Sequence, residues 1–367
     1  MKLNSKKVFS FYSNKTVLIT GESGFKGSWL ASWLNSLGAK VVGFSDKVPT
    51  NPSLYEDLEL NEVINSARGD IRDSDALNEL VFDTKPDLIF HLAAQPLVHY
   101  SYKEPIETFS TNIIGTANLI NAVRLLDEIN HKCSVVLITS DKVYKNNEWI
   151  WGYRETDELW GKDPYSASKS STEQIIYSMI YSYFSKTKSS VNFSTARAGN
   201  VIGGGDWSEN RIVPDLMRAV STDSTAIVRN PNSVRPWQHV LEPLRGYLYL
   251  GYYLYEKNIN HEAFNFGPNI ADNYTVSDII NKFSTWDKIK VQIDTEQAKK
   301  FKSEAGLLRL SCEKATNLLN WKPLLSFHET CTFTLDWYRS YFENKADISK
   351  FTREQIDLYM SLLDERK

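Results

Sequence analysis

Short apolar runs alternate with longer amphipathic stretches through the first half of the chain. The apolar runs are rich in β-branched residues and end in small, polar or glycine residues; they are Val17–Ile19, Val41–Phe44, Leu88–Leu92 and Val135–Ile138. Between them lie segments with the apolar spacing of amphipathic helices: Trp29–Leu37, Ala76–Phe82 and Ile113–Leu126. Strands that alternate with helices predict βαβ units, and hence a parallel sheet with helices on both faces.

The second half of the chain is less regular. Glycine- and proline-rich stretches interrupt it, and helical spacing returns at Val276–Phe283 and from Cys312 onward. We therefore expect residues 1–190 to form a nucleotide-binding domain, with some strands from about 225–265 returning to its sheet. Residues 191–367 are expected to form mainly a smaller α/β substrate-binding domain.

A glycine motif joins the first predicted strand to the first long helix. Three glycines with the spacing GxxGxxG follow the apolar segment Thr16–Thr20. Glycines here allow a tight turn, close approach of the backbone to a pyrophosphate and close helix–strand packing, and the helix N-terminus offers N–H groups to the phosphates. The motif predicts a Rossmann-type doubly wound α/β fold, with an ordinary βα turn as the alternative. The predicted cofactor contacts in this turn are Gly21, Ser23, Gly24, Phe25, Lys26 and Gly27.

The adenosine end of a dinucleotide would lie at the end of the second strand, where Ser45 is followed by Asp46. Asp46 could accept hydrogen bonds from the ribose hydroxyls, which favours NAD over NADP. Alternatively, Ser45 takes the position at the strand end and Asp46 is only a turn residue; both interpretations stay open. Asp70 and Ile71 lie where a contact with the adenine edge is expected. A surface turn is the alternative there, and we favour the contact.

A Tyr–Lys pair with the spacing YxxxK follows Asp163-Pro164, which predicts a helix from Tyr165 to about Phe184 with Asp163 as its cap. Tyr165 and Lys169 then lie on one helix face. A phenol has an ordinary pKa of about 10, and a neighbouring ammonium or cationic nicotinamide would favour the phenolate that acts as a base. Ser140, at a predicted strand end, can hydrogen-bond the substrate oxygen that Tyr165 deprotonates.

These motifs together resemble the extended short-chain dehydrogenase/reductase family. The chain carries, in order, the glycine motif, the HLAA segment of His91–Ala94, Asn112, Ser140 and the YxxxK pair. The resemblance spans nearly the whole chain and implies NAD as the cofactor and a nucleotide sugar as the substrate. The further cofactor contacts that it implies are Leu92, Ala93, Ala94, Gln95, Asn112, Tyr165 and Lys169.

Asp141 and Lys142 resemble the dehydratases of that family more than its epimerases. In these dehydratases an Asp-Glu pair follows the catalytic hydroxyl residue, with Asp protonating the leaving C6 hydroxyl and Glu removing the C5 proton. Lys142 stands here in place of that Glu. It is either the C5 base as a neutral amine or a charged group that stabilises the enolate, with a solvated structural lysine as the less favoured alternative. Glu22 also departs from the relatives, and a carboxylate near the pyrophosphate is expected to weaken cofactor binding.

The resemblance also implies contacts with the substrate. Asn200 and Arg235 are expected to face the diphosphate, for which the bidentate geometry of arginine is suited. Arg211 and His239 are candidates for the nucleotide end of the substrate. His99 is a candidate near the hexose, with a surface histidine as an equal alternative.

Composition excludes several other classes of protein. The formal net charge of −3, without a long basic block, argues against a protein that binds nucleic acid by neutralising phosphates. Three scattered cysteines and six histidines without ligand spacing argue against a disulfide framework and a metal site, and favour a reducing compartment. No apolar stretch reaches membrane-spanning length. We therefore expect a cytoplasmic protein without a membrane or nucleic-acid partner.

Relatives in this family pair the helix that bears the Tyr–Lys motif, so we expect a homodimer or a tetramer. Tyr177, Met179, Ile180 and Tyr183 supply apolar surface for such pairing, although the same residues could instead face the core. The resemblance predicts a nucleotide-sugar 4,6-dehydratase. The alternatives are a 4-epimerase of the same fold, or a dehydratase that acts on a different nucleotide sugar. A more remote alternative is a dinucleotide-sensing protein without catalysis.

Overall fold

A parallel sheet forms the centre of the protein, which a computed structural model describes over residues 5–184, 189–257, 259–269, 272, 274–294 and 307–366. The strands are β1 (Thr16–Thr20), β2 (Lys40–Ser45), β3 (Asn65–Arg68), β4 (Leu88–His91), β5 (Cys133–Ile138), β6 (Val191–Ala198), β7 (Val201–Ile202), β8 (Ala226–Val228), β9 (Val234–Arg235), β10 (Gln238–His239), β11 (Glu262–Phe266), β12 (Tyr274–Thr275) and β13 (Val291–Ile293). Seven of them form the central sheet in the order β11-β6-β5-β4-β1-β2-β3.

Helices cover both faces of this sheet. They are α1 (Ser5–Phe11), α2 (Phe25–Ser36), α3 (Leu54–Asp57), α4 (Leu60–Val63), α5 (Ser74–Thr84), α6 (Val98–Lys103), α7 (Pro105–Phe109), α8 (Gly115–Glu128), α9 (Pro164–Phe184), α10 (Ile212–Ser221), α11 (Leu241–Lys257), α12 (Val276–Phe283), α13 (Glu313–Leu319), α14 (Phe327–Glu343) and α15 (Ile348–Glu365). The predicted Rossmann-type α/β fold with a parallel sheet is confirmed.

The strand order reverses beside β1. The chain runs outward from β1 to β2 and β3, and then crosses to β4, which pairs with the other edge of β1. In such sheets ligands bind outside the carboxyl ends of the strands at the point where the order reverses. The glycine motif after β1 therefore lies at the crevice between β1 and β4.

Alternating side chains of β1 serve two separate cores, as expected for a strand buried on both faces. Val17 and Ile19 pack into the core that contains α2, α11 and the C-terminal helices. Leu18 points the other way, into the core formed with α5, α8 and α9. The sheet is thereby fixed from both sides, and its carboxyl edge is a rigid base for the site.

Two strands beyond residue 190 belong to the central sheet. β6 pairs with β5, and β11 pairs with β6, both in parallel. The short strands β8, β9 and β10 instead pair with β13, β12 and β7 outside the sheet. The loop that carries Asn200 therefore starts directly from the carboxyl end of a central strand. The predicted domain boundaries stay a prediction.

Across the described residues, no helix combines the length and apolar composition needed to cross a bilayer.

Candidate active site

The glycine turn after β1 is packed so closely that side chains would not fit. Gly21 has a φ of 80°, and a Cβ atom there would lie 2.6 Å from the backbone nitrogen of Ala93. A Cβ atom at Gly27 would lie 2.0 Å from the carbonyl oxygen of Gly21. Gly24 is the N-cap of α2 and makes no side-chain capping bond. The turn thus presents backbone and a helix N-terminus at the crevice, which fits the pyrophosphate of NAD.

Ser45 ends β2 as a buried residue, and its hydroxyl donates to a carboxylate oxygen of Glu22. The hydroxyl of Ser23 donates to the carbonyl oxygen of Lys47 at 2.7 Å. Asp46 is exposed, and its carboxylate accepts from the backbone N–H of Lys47 at 2.8 Å. The structure therefore places Glu22, rather than Asp46, against the strand end, and the contacts predicted for Ser45 and Asp46 stay predictions.

Asp70 and Ile71 follow β3 in the turn that leads to α5. Asp70 binds Arg72 through both carboxylate oxygens, and the adjacent guanidinium lowers the pKa of that carboxyl below its usual value. Ile71 is buried beneath Gly115, where an added Cβ atom would lie 2.4 Å from its Cδ1 atom. Their predicted contact with adenine stays a prediction.

Asn112 connects the loop after β4 to α9. It lies in a π-helical turn, Ser110–Ile114, a geometry that is frequent at functional sites. Its side-chain oxygen accepts from the backbone N–H of Gln95 at 2.8 Å, and its amide nitrogen donates to the hydroxyl of Ser168 at 2.8 Å. Asn112 therefore fixes the segment Leu92–Gln95 relative to the helix that carries Tyr165.

The predicted catalytic groups meet at the carboxyl end of β5. The Ser140 hydroxyl donates to Asp141 at 3.0 Å, and its proximity to Tyr165 lowers the pKa of that phenol. Asp163 accepts from the backbone N–H of Ser166 at 3.0 Å, which confirms its predicted role as the cap of α9. The capped helix directs Tyr165 towards the strand end.

Burial and charge act in opposite directions on Tyr165. Burial raises the pKa of its phenol, while the charge of Lys142 and the hydrogen bond with Ser140 lower it. Burial also lowers the pKa of Lys169 to about 8, against the charge of Glu173. The charge of Lys142 is thus the largest of the effects that lower the pKa of the phenol.

Asp141 is placed to reach a substrate in front of the sheet. Its side chain is 3% exposed, and Lys142 Nζ lies 3.8 Å from its Oδ1 atom. A Cβ atom at Gly199 would lie 3.2 Å from Asp141 Oδ2, so this carboxylate faces the loop that leads to Asn200. Lys142 is 35% exposed at its side chain. The Asp141 carboxyl and the Lys142 side chain therefore lie together at the strand end near Tyr165.

Cations surround the position expected for the diphosphates. Arg211 Nη1 lies 3.0 Å from Asp206, and its charge acts on Tyr165. Burial, followed by the charge of Arg211, lowers the pKa of Lys26 to about 8. Arg235 is half-buried and lines a small cleft. The structure brings Lys26 and Arg211 towards the catalytic residues, whereas the role of Arg235 at the diphosphate stays a prediction.

The remaining substrate candidates occupy different environments. Asn200 is half-buried, and its backbone carbonyl accepts from the N–H of Gln238 at 3.2 Å. His239 is fully buried, with ring centroids 6.0 Å from Trp29 and 5.4 Å from Phe333, and burial lowers its pKa to about 3. This environment favours packing over contact with substrate. His99 is exposed on α6.

Sequence reasoning missed a buried ion pair beneath the catalytic groups. Glu173 accepts from Thr139 at 2.6 Å and from Arg197 Nε at 2.7 Å, and both members of the ion pair are almost fully buried. Glu173 lies eight positions after Tyr165 and therefore on the same face of α9. That spacing was the signal in the sequence that could have identified it.

In the described part of the chain, no group of three His, Cys, Asp or Glu residues is arranged to hold a metal ion. Cys133, Cys312 and Cys331 are free thiols. The described site is thus built from hydroxyls, a carboxylate, lysines and arginines around the glycine turn.

Comparison with known proteins relates this arrangement to nucleotide-sugar enzymes. The family described as GDP-mannose 4,6 dehydratase matches residues 18–334. The chain is 42% identical to the CDP-glucose 4,6-dehydratase of Salmonella typhimurium, over 96% of this chain and 98% of that protein. It is 25% identical to the dTDP-glucose 4,6-dehydratase of Shigella flexneri, over 88% and 92% of the two chains.

A solved structure shares the fold. The dTDP-glucose 4,6-dehydratase of Bacillus anthracis, in complex with NAD, superposes with a TM-score of 0.72 at 19% identity, covering 89% of this chain and 97% of that one. The chain thus shares the fold of that structure over most of its length.

Proposed function

The chain belongs to the GDP-mannose 4,6 dehydratase family, and from this premise we propose that it is a CDP-glucose 4,6-dehydratase. The proposed reaction converts CDP-D-glucose to CDP-4-keto-6-deoxy-D-glucose and water. The observation that carries the proposal is the buried Asp141, which hydrogen-bonds Ser140 beside Tyr165 and faces the loop at Gly199. A 4-epimerase needs no acid for a leaving group, whereas a dehydratase does.

The residues around the glycine turn fit NAD as the cofactor. Gly21 and Gly27 leave no room for side chains, and the N-terminus of α2 opens towards the crevice. Gly24 and Lys26 would hold the pyrophosphate, and the segment Leu92–Gln95 would line the nicotinamide side. The chemistry that NAD would supply there is reversible hydride transfer with the sugar, without net oxidation over the whole reaction.

The protein's own groups move the protons. Tyr165 takes the proton of the C4 hydroxyl while Ser140 hydrogen-bonds the same oxygen. The C4 ketone acidifies the C5 proton, and Asp141 then protonates the departing C6 oxygen. Lys142, 3.8 Å from Asp141, acts as the C5 base or as the cation that stabilises the enolate; both roles fit its position.

The choice of cytidine rests on sequence similarity. Besides the 42% identity to the Salmonella enzyme, Gly21–Trp29 and Arg197–Trp207 carry motifs that resemble CDP-glucose 4,6-dehydratases. Asn200, Arg211 and Arg235 are the proposed contacts with the diphosphate and nucleotide. His99 and His239 stay weaker candidates.

The decisive experiment is turnover with CDP-, dTDP-, GDP- and UDP-glucose in parallel, with 4-keto-6-deoxy product detected by its absorbance in alkali. We expect product from CDP-glucose in preference to the others. Asp141→Asn is expected to lower this turnover by about a hundredfold or more, since it removes the general acid. Asp357→Asn, which changes an exposed carboxylate on α15, is the matched control.

Two outcomes would contradict the proposal. Full-speed dehydration by Asp141→Asn would remove the role of the acid, and isomeric hexoses without 4-keto product would indicate a 4-epimerase. Lys142→Ala, assayed in deuterated water, separates the two roles of that lysine: unchanged deuterium uptake at C5 excludes it as the base. Binding of NAD without turnover of any sugar would instead favour a sensing protein.

We also propose that the protein is a cytoplasmic homodimer, or a tetramer built from two such dimers, without a nucleic-acid or membrane partner. Tyr177 and Tyr181 are 69% and 65% exposed on α9 and stack on each other with ring centroids 6.1 Å apart. Tyr183 is also exposed, whereas Met179 and Ile180 pack inward against the core. The outward tyrosines supply the apolar surface for pairing with a second copy.

A further inference from the structure

The carboxylate at the end of β2 comes from the glycine turn. Ser45, the last residue of β2, donates its hydroxyl to Glu22. A Cβ atom at Gly43 would lie 2.3 Å from Glu22 Cγ, so this glycine leaves the space in which the Glu22 side chain lies. The turn and the strand thus form a built place for one carboxylate.

This carboxylate is only half satisfied. Glu22 is fully buried, and its Oε1 atom has no hydrogen-bond partner within the described part of the chain. The nearest cation is Arg68, whose Nη1 atom lies 3.6 Å from Oε1. Burying an acceptor without a donor is unfavourable, so this oxygen favours a ligand that brings a donor. The orphan oxygen lies at the carboxyl end of β2, between Ser45 and Arg68.

In contrast to the sequence-based expectation that this carboxylate weakens cofactor binding, we infer that Glu22 accepts a hydrogen bond from the adenosine ribose and makes the site select NAD over NADP. In Rossmann-type sites an acid about twenty residues after the glycine motif fills this role, at the end of the second strand. Here that strand ends in Ser45, and Asp46 turns to the backbone of Lys47. The acid is therefore supplied from the turn. This inference rests on the proposed function in one respect, that the cofactor is a nicotinamide dinucleotide.

Arg68 explains why the carboxylate also controls selectivity. Its side chain is 43% exposed at the end of β3, next to Ser45 in the sheet. An arginine near the ribose is the feature that accommodates the 2′-phosphate of NADP. Glu22 pairs with this cation and thereby reduces the positive charge that would attract the phosphate. Removing the charge of Glu22 would leave Arg68 available to NADP.

The test is the binding of NAD and NADP to the cofactor-free protein, measured by calorimetry without any sugar. For Glu22→Gln we expect the Kd for NAD to rise and the Kd for NADP to fall, so that their ratio shifts by about tenfold towards NADP, because one charge near the 2′ position has been removed. Glu128→Gln, which removes an exposed carboxylate on α8, should leave the ratio unchanged.

Ser45→Ala keeps the inference testable if Glu22→Gln does not fold. It releases the carboxylate from its hydrogen bond and is expected to shift the ratio in the same direction by a smaller factor. An unchanged ratio in a folded Glu22→Gln protein would overturn the inference, as would a shift produced by Asp46→Asn instead. A protein that binds NAD but does not dehydrate CDP-glucose would refute the proposed function and leave this inference intact.

Discussion

Lys169 and Lys26 are buried ammonium groups in the site, and burial lowers the pKa of each from its ordinary 10.5 to about 8. The folded protein therefore gives up these protons at lower pH than the unfolded chain does. The unfolded state binds more protons between about pH 8 and pH 10.5, so the lysines alone would make the fold more stable as the pH rises through that window. The predicted role of Lys169 in activating Tyr165, in contrast, requires the lysine to be charged.

We accordingly expect kcat/KM in the cofactor-loaded enzyme to fall as the pH rises through about 8. In Lys169→Arg the guanidinium stays charged, so the alkaline limb of the pH profile should move upward even if the rate drops. Lys26→Arg is the matched variant, because that lysine has a similar pKa but lies in the glycine turn. An alkaline limb that moves with Lys26→Arg and not with Lys169→Arg would contradict the assignment.

The glycine turn is the element on which the cofactor site depends, and its glycines serve different purposes. Gly27 lets α2 approach β1, whereas Gly24 has an ordinary φ of −80° and would place a Cβ atom 3.4 Å from its nearest neighbour. Packing requires a glycine only at position 27. A glycine at position 24 is required if the backbone there must approach a phosphate.

Gly27→Ala is expected to lower the free energy of unfolding by about 1–3 kcal/mol, since its Cβ atom would lie 2.0 Å from the Gly21 carbonyl. Gly24→Ala should leave the stability nearly unchanged and weaken NAD binding. Denaturant unfolding and calorimetric titration of both variants check this. An equal decrease in the free energy of unfolding of the two variants would contradict the separate roles of Gly27 in packing and Gly24 in binding.

Sequence patterning predicted the elements whose residues are buried on a regular period. The predicted strand Val41–Phe44 lies within β2, which spans Lys40–Ser45, and the predicted helix Val276–Phe283 is α12 with the same bounds. It missed β3, because an edge strand of partly exposed polar residues, Asn65–Arg68, has no apolar run. It also could not predict the π-helical turn at Asn112, since that turn depends on tertiary hydrogen bonds to Gln95 and Ser168.

The candidate site was predictable where spacing within one element determines proximity. Tyr165 and Lys169 follow from helical periodicity, and Asp141 follows from its place after a strand. Glu22 required the structure, because its neighbours Gly43 and Ser45 lie on a different strand. Pairings between elements depend on side-chain direction, which the pattern of apolar residues does not encode.

At the scale of the whole molecule, the exposed tyrosines of α9 predict the assembly state. Tyr177→Glu combined with Tyr181→Glu places two carboxylates on the proposed interface and is expected to shift the protein to a monomer in light scattering after size exclusion. Leu358→Glu, at a 50% exposed position on α15, is the control and should not change the mass. An unchanged mass for the double variant would place the interface elsewhere.

The interleaving of β6 and β11 with the earlier strands has a consequence for synthesis on the ribosome. The outermost strand of the sheet ends at Phe266, so the edge of β6 stays uncovered until most of the chain has emerged. An uncovered edge offers unpaired N–H and C=O groups to other nascent chains. Completion of this sheet is therefore a late event, and chaperone protection would matter most while the segment between the two strands is being translated.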